Sequence, residues 1–353
     1  MPKNVAAYGA EAPRGLLKSL TIVRRDPGPR DVELELLYCG ICHSDVHKVN
    51  NDGGGTHYPI VPGHEIVGRV ASRGSRAHRF GKGDLVGVGC IVDSCRKCPE
   101  CRAGREMYCR AGCTFSFDSP DRTGRTWTLG GYSASMVVDE RYALPIPKNL
   151  DPARAAPLLC AGITTYSPLR QFKCGTGDRV AIVGLGGLGH VAVKLARSMG
   201  AKVTVLSSSP GKEEDAHRLG AEGFVSTNRP GALDTLAGKF DLLLDTVSAP
   251  HDLQPELQIL KNFGTLVFVG LSPSPIPLDV GGLIFGSKRM AGSLIGGIAE
   301  TQEMLDYCGR KRLVADIELI RPEQINAAYE RIQRNDVHFR FVIDLSDLRH
   351  ASR

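Results

Sequence analysis

Cys95, Cys98, Cys101 and Cys109 are separated by two, two and seven residues. Four thiolates at this spacing suit a closed tetrahedral zinc site, which has no open position and therefore a structural job. An iron–sulfur cluster also takes four thiolates, but the seven-residue gap and the missing Cys-Pro ending disfavour it. A DNA-reading zinc finger would need a reading helix after the ligands, and this loop of a larger domain offers none. The neighbouring Arg96, Lys97, Arg102 and Arg105 are expected to temper the negative charge.

A second set of ligand types is scattered along the chain. Residues 40–47 read GICHSDVH, residues 62–65 read PGHE, and Cys160 stands far downstream. Cys42, His64 and Cys160 would supply two sulfurs and one imidazole nitrogen and leave a fourth position open, which is a catalytic zinc environment. Glu65 could fill that position at rest and yield it to a substrate. Singly, each of these residues is more often a core residue than a ligand.

Gly184-Leu185-Gly186-Gly187-Leu188-Gly189 fits G-x-G-x-x-G. It follows an expected strand (179–183) and opens an expected helix (187–199), which is the context a dinucleotide site needs. The helix amino terminus would then face a pyrophosphate. An acidic residue after the next strand would bind the ribose hydroxyls of NAD. Here Ser207, Ser208 and Ser209 stand at that point, followed by Lys212. Hydroxyls and an ammonium can bind a 2′-phosphate that a carboxylate would repel, so NADPH is expected over NADH.

The elements that must position these groups change character along the chain. Up to about residue 150, short strand-like runs (32–38, 65–70, 85–90) alternate with Gly, Pro and Asp, as in a compact irregular β domain. From about Cys160, strands at 179–183, 202–206, 223–226, 240–245 and 265–270 alternate with helices at 187–199, 212–219 and 253–260. That rhythm argues for a parallel sheet covered by helices. A Pro-rich bridge (272–279) leads to helices near 299–308 and 322–332 and a last strand at 340–344.

The chain has 353 residues and a formal net charge of +6, with 6% aromatic residues. Such mild charge and few aromatics speak against a nucleic-acid partner. No apolar run approaches the ~20 residues of a membrane span, and no signal-type leader is read. Eleven cysteines cannot pair completely into disulfides, so reduced, metal-binding thiols in the cytoplasm are expected. Four would serve the closed lobe and two, Cys42 and Cys160, the open site. Cys39, Cys90, Cys113, Cys174 and Cys308 remain as small buried thiols, with Cys113 close enough in sequence to the lobe to compete as a ligand.

In these motifs, together with PIVPGHEIVG (59–68) and Cys160-Ala-Gly-Ile-Thr164, the chain resembles the zinc-dependent medium-chain alcohol dehydrogenases. More narrowly, it resembles their cinnamyl alcohol dehydrogenase-like branch, with its NADPH-dependent aldehyde reductases. The resemblance implies an α/β architecture of two parts. A GroES-like irregular β catalytic domain would take 1–157 and 291–353, and a Rossmann doubly wound parallel sheet 158–290. It implies two zincs per chain, with Cys42, His64, Cys160 and the interchangeable Glu65 at the catalytic ion and Cys95, Cys98, Cys101 and Cys109 at the structural one. Ser44 and His47 match the proton relay, with Asp52 as a possible outer member. Thr164, Val269 and Ser293 match positions near the cofactor, and Ser207, Ser208 and Lys212 the 2′-phosphate binders.

The implied reaction is hydride transfer between NADPH and an aldehyde or primary alcohol, with zinc polarising the carbonyl oxygen and Ser44–His47 supplying the proton. A homodimer is implied too, with 286–296 a candidate edge. Two other readings stay open: a zinc reductase of iminium ions or activated alkenes, and a non-catalytic cofactor binder. Leu283, Phe285 and Ile295 are candidates for the substrate pocket, with core packing the commoner role for such residues.

Overall fold

A computed structural model describes residues 2–351. The chain divides into two compact units, Met1–Cys160 with Gly296–Arg353, and Ala161–Ile295.

The first unit is built on a seven-stranded sheet. Its central strand, Asp31–Gly40, is the longest, and most of its residues are buried. Ile66–Arg73 and Ser135–Asp139 pair with it antiparallel, and Leu85–Val88 continues the sheet. The carboxyl-terminal strand Arg340–Asp344 also lies antiparallel against it, with Val342 opposite Gly40 and Ile343 opposite Cys39. The segment from Asp31 and the carboxyl-terminal strand therefore build one sheet. Leu34, Leu36, Ile66, Val86 and Phe341 are wholly buried around it, each removing apolar surface worth roughly 1.5–3 kcal/mol. This rigid centre carries the short helix His43–Asn50 directly after Gly40 and Arg340 directly alongside.

The second unit is an all-parallel, six-stranded sheet. In spatial order its strands are Gly223–Ser226, Lys202–Ser207, Arg179–Val183, Phe240–Asp245, Leu260–Phe268 and Arg289–Gly292. In chain order that is 3-2-1-4-5-6, the doubly wound dinucleotide arrangement. Strands such as RVAIV and FDLLLD are apolar almost throughout because helices cover both faces. Helix Gly189–Ser198 turns Val191, Ala192, Val193, Leu195 and Ala196 inward.

Several expected boundaries shift, one of them by five residues. The helix read at 253–260 is Gln254–Ile259, and the next strand begins at Leu260 rather than at 265. Its first residues are irregular: Phe240 pairs with Leu260 but Leu242 with Thr265, and Phe263 has φ +66°. A backbone excursion of that kind carries no period-2 signal. The Pro-rich bridge has no helix or strand between Phe268 and Gly281. Among the described residues, no helix is long and apolar enough to cross a membrane.

Candidate active site

Cys42, His64, Glu65 and Cys160 lie far apart in sequence, yet one ligand atom of each falls within 4.8 Å of all the others. Cys42 caps the amino end of helix His43–Asn50 with extended backbone. His64 and Glu65 lead into strand Ile66–Arg73. Their approach needs Gly63, which has φ +107° and whose added Cβ would meet Cys39 Sγ at 2.8 Å. Cys160 ends the first unit.

The spacing suits a bound zinc. A zinc–sulfur length of about 2.3 Å implies a tetrahedral sulfur–sulfur edge of about 3.8 Å, and Cys42 Sγ lies 3.9 Å from Cys160 Sγ. His64 Nε2 lies 3.3 Å from Cys160 Sγ. The Cys160 thiol shares its hydrogen bond with the Cys42 sulfur, which pushes Cys42 well below the ordinary thiol range and Cys160 well above it. One proton between two ligand sulfurs is what a divalent cation would displace.

The ring of His64 is aimed by Asp45, a residue given no role by the sequence. Asp45 is fully buried. Its Oδ1 accepts from His64 Nδ1–H and Gly63 N–H, both at 3.1 Å. Its Oδ2 accepts from Cys42 N–H at 2.8 Å and Tyr132 O–H at 3.2 Å. Occupying Nδ1 leaves Nε2 for a metal, the carboxylate–histidine arrangement of metal sites. The spacing of Cys42 and Asp45, a capping-box offset, was the readable signal.

Glu65 is fully buried and forms an ion pair with Arg340, itself buried on the carboxyl-terminal strand. Its Oε2 has no hydrogen-bond partner. A carboxylate paired with an arginine, with an oxygen within reach of two sulfurs and an imidazole, is equipped to reach a cation and to withdraw. Arg340 had no local sequence signal, because 275 residues separate it from Glu65.

Ser44 and His47, three apart on helix His43–Asn50, share an exposed face. Ser44 Oγ is 3.5 Å from His64 Nε2. His47 Nδ1 is 2.7 Å from Asp52 Oδ2. No hydrogen bond joins Ser44 directly to His47 among the described residues, so any proton path between them needs an intervening group.

Cys95, Cys98, Cys101 and Cys109 form a second cluster with ligand atoms within 4.8 Å of one another. Cys95 and Cys101 sulfurs are 3.9 Å apart, again close to a tetrahedral edge. Backbone amides carry much of the charge compensation. Cys95 N–H donates to Cys109 Sγ and Cys98 N–H to Cys95 Sγ, both at 3.3 Å. Backbone amides of Cys101 and Arg110 bring the Cys98 thiol down to about 6, while burial pushes Cys101 up to about 12. Arg96 also pairs with Asp93 and Asp139, and Arg105 with Glu100. Cys113 stays outside the cluster and donates to Met107 O at 3.8 Å.

The remaining thiols mostly behave as small buried groups. Burial raises Cys39 well above the thiol range and Cys174 and Cys308 to about 12. Cys90 differs, because it shares a hydrogen bond with Cys160 and is pulled down by it. Leu283 packs against the core of the second unit and Ile295 is buried, whereas Phe285 is exposed.

In the second unit, Gly184 through Gly189 link the strand and helix as expected. Gly184 has φ +87°, and a Cβ on Gly189 would meet Gly184 O at 2.0 Å, so protein packing explains both. A Cβ on Gly186 would meet nothing within 4 Å. Close approach of a ligand backbone, as a pyrophosphate makes, accounts for a glycine there. Lys212 Nζ donates to Leu185 O at 2.8 Å, which holds the ammonium beside this turn. Burial lowers Lys212, a penalty an anion would relieve. Ser207 Oγ accepts from Ser209 N–H at 3.2 Å, and Ser208 O accepts from Asn228. Among the described residues at this strand end no carboxylate takes the ribose position. Val269 N–H donates to Asp245 O and Ser293 N–H to Phe268 O, both at the carboxyl ends of strands. Thr164 is buried on helix Ala161–Gln171.

A doubly wound sheet with an anion-ready glycine turn, in one chain with an open thiol–imidazole set and a closed four-thiol lobe, defines a metal-dependent nicotinamide dehydrogenase. Residues 28–148 match the alcohol dehydrogenase GroES-like domain and residues 187–309 the zinc-binding dehydrogenase family. An NADP-dependent alcohol dehydrogenase C 1 of Mycolicibacterium smegmatis is 52% identical, with 98% of this chain and 99% of the relative covered. Aldehyde reductase YahK of Escherichia coli is 50% identical over 97% of each chain. The structure of a cinnamyl alcohol dehydrogenase from Sorghum bicolor superposes with a TM-score of 0.95 at 42% identity over 98% of each chain. The chain belongs to the zinc-binding alcohol dehydrogenase family, as its motifs implied.

Proposed function

We propose that this oxidoreductase interconverts aldehydes and primary alcohols with NADP(H), a cofactor preference that favours reduction. The observation that carries this reading is the Cys42–His64–Cys160 set, oriented by Asp45 and accompanied by an exchangeable Glu65. When bound, zinc supplies a Lewis acid at the carbonyl oxygen and NADPH supplies the hydride.

The chain's own residues do the rest. Cys42, His64 and Cys160 hold the catalytic ion, and Arg340 draws Glu65 away so that a substrate oxygen can be accepted. Ser44 donates a proton to the oxygen that gains negative charge in the reduction. His47, paired with Asp52 and exposed, exchanges protons with solvent and replenishes the relay. General acid–base assistance of this kind is worth ~100–10,000-fold. A relay hydroxyl beside the ligand histidine supports carbonyl chemistry over imine or alkene reduction, neither of which needs an alkoxide protonated. Cys95, Cys98, Cys101 and Cys109 hold a second, structural zinc.

Ser207, Ser208 and Lys212 receive the 2′-phosphate, and Thr164, Val269 and Ser293 border the cofactor. Steady-state kinetics over an aldehyde panel with both cofactors, run beside zinc quantification, tests this reading. Two zincs per chain and a clear NADPH preference are expected, and equal efficiency with NADH would sink the phosphate assignment. Ser208→Asp adds a repelling charge and should lower the NADPH-to-NADH preference by about 10–100-fold, the scale of a charged hydrogen bond.

Strand Arg289–Gly292 leaves one edge of the parallel sheet open, near exposed Val280, Ile284 and Phe285. Two copies joined across that edge would cover both the edge and the apolar side chains. Light scattering at micromolar concentration should return twice the chain mass, and a monomer would remove the dimer. The ligand thiols must stay reduced, which suits the cytoplasm.

A further inference from the structure

One cluster in the second unit belongs to neither metal set. Asp245, His251 and Glu256 bring a ligand-type atom of each within 4.8 Å of the others. Asp245 is the last residue of strand Phe240–Asp245 and is fully buried. Glu256 is buried on helix Gln254–Ile259. His251 sits on the loop between them. Its Nδ1–H donates to Ala249 O at 2.9 Å, so its other nitrogen faces inward. That Nε2 is 3.2 Å from Asp245 Oδ2 and 3.1 Å from Glu256 Oε1.

A neutral ring would point a lone pair at two buried carboxylates. A protonated ring places a positive charge between them. Neither contact is a well-aligned hydrogen bond, since His251 Nε2 lacks a partner with proper geometry. The attraction is therefore ionic, one cation shared by two anions. The two carboxylates hold the imidazole protonated, raising it to about 11, while burial raises Glu256, with repulsion from Asp245 and then Asp252 adding to it.

Asp245 is also a junction. Its carbonyl accepts from Val269 N–H and Gly270 N–H, and its Oδ1 accepts from Val247 N–H at 2.8 Å. The neighbouring Thr246 Oγ1 donates to Val183 O at 2.8 Å and contacts Gly184 O at 3.3 Å. The loop thus ties the first cofactor glycine to the carboxyl ends of the central strands. Strand order reverses between Arg179–Val183 and Phe240–Asp245, where a doubly wound sheet receives a dinucleotide. The phosphate-binding serines lie on the other half of the sheet.

We propose that Asp245, His251 and Glu256 form a charge clamp that fixes the loop 246–252 and thereby positions the nicotinamide half of NADP(H). These are positioning residues. The clamp rests on the reading that this sheet binds NADP(H).

The test is a fluorescence titration of NADPH and NADH into zinc-loaded enzyme. Wild type, His251→Gln, Asp245→Asn and the double variant are compared, with metal content measured on each. Each single variant is expected to raise Kd for both cofactors by about tenfold, the scale of a lost charged contact, leaving the NADPH-to-NADH ratio unchanged. KM for NADPH should rise in step, with kcat falling far less. The double variant should be no weaker than either single one, because the residues act as a unit. Glu256→Gln keeps the Asp245–His251 pair and should cost about threefold, so it carries the test if the stronger variants do not fold. Unchanged Kd in folded variants, additive losses, or a loss confined to NADPH would each overturn the clamp. So would a third metal that disappears with His251→Gln, which would make the cluster a cation site. Failure of wild type to bind NADPH would instead remove the cofactor reading itself, before any variant is compared.

Discussion

The two cysteine clusters hold ligand atoms at the same 3.9 Å sulfur spacing and are otherwise built on opposite lines. The lobe at Cys95–Cys109 uses four thiols from one short loop. Backbone amides answer its charge, and Cys95 and Cys98 are only half-buried. The set at Cys42, His64, Glu65 and Cys160 draws on three distant segments. It is aimed by a buried side chain, Asp45, and includes a carboxylate tied to Arg340. Local sequence suffices to close a metal site. An open site needs three ligands and a free fourth position, and here the tertiary fold also places a carboxylate paired with Arg340 beside it.

The largest effect separates the clusters by function. Cys42→Ala should remove one of two zincs and lower kcat/KM for an aldehyde by about 1,000–10,000-fold, several kcal/mol of transition-state stabilisation. Its melting temperature should move little. Metal analysis beside steady-state kinetics reads both, and full activity with two zincs would erase the distinction. Cys101→Ser should also take the zinc count from two to one, but with the reverse outcome. Melting should fall by about 10 °C, as a loss of roughly 3–4 kcal/mol implies for a unit of this size. The protein that remains folded should reduce aldehyde within a few-fold of wild type. A lobe variant that lost activity while keeping its stability would make both clusters catalytic.

Arg340→Met tests the exchangeable carboxylate. Removing one partner of a buried ion pair costs about 3–5 kcal/mol because the other is left uncompensated. Here Glu65 has an alternative, since one of its carboxylate oxygens lies within the ligand set. The variant should therefore be much less stable without zinc than with it, and aldehyde KM should rise as Glu65 competes for the open position. Denaturation with and without chelator measures the difference. An equal loss in both states would mean that Glu65 never serves the metal.

Legibility in the sequence followed the same division. The lobe could be read from spacing alone, and the sheet from alternating apolar runs and the glycine turn. Gly186, whose Cβ would meet only open space, keeps its meaning as a ligand contact. The open set was assembled by resemblance, because Cys42, His64 and Cys160 share no local pattern. Arg340 and the His251 clamp escaped, since both depend on partners supplied by tertiary packing. Asp45 escaped for a different reason: its offset from Cys42 was visible, but nothing local shows that a capping carboxylate also holds a histidine ring. The irregular start of strand Leu260–Phe268 was missed because Phe263 breaks the alternation that marks a strand.

The smallest expected effect concerns two cysteines beside the clusters that are ligands in neither. Cys113 is next to the lobe in sequence but donates to a backbone carbonyl, and burial raises its thiol. Cys90 lies before the lobe in sequence, yet its thiol shares a hydrogen bond with Cys160 of the open set. Sequence proximity assigns both to the lobe, whereas contact assigns Cys90 to the other site. Cys113→Ser should therefore leave zinc count, melting and kcat/KM unchanged. Cys90→Ala removes a hydrogen-bonding neighbour of a ligand sulfur and should weaken retention of the catalytic zinc by about tenfold, the low end for outer partners of metal ligands. Competition with a chromophoric chelator reads the two zincs at different rates. If Cys90→Ala speeds release of the slow, structural zinc instead, then position along the chain, and not contact, decides which cluster a cysteine serves.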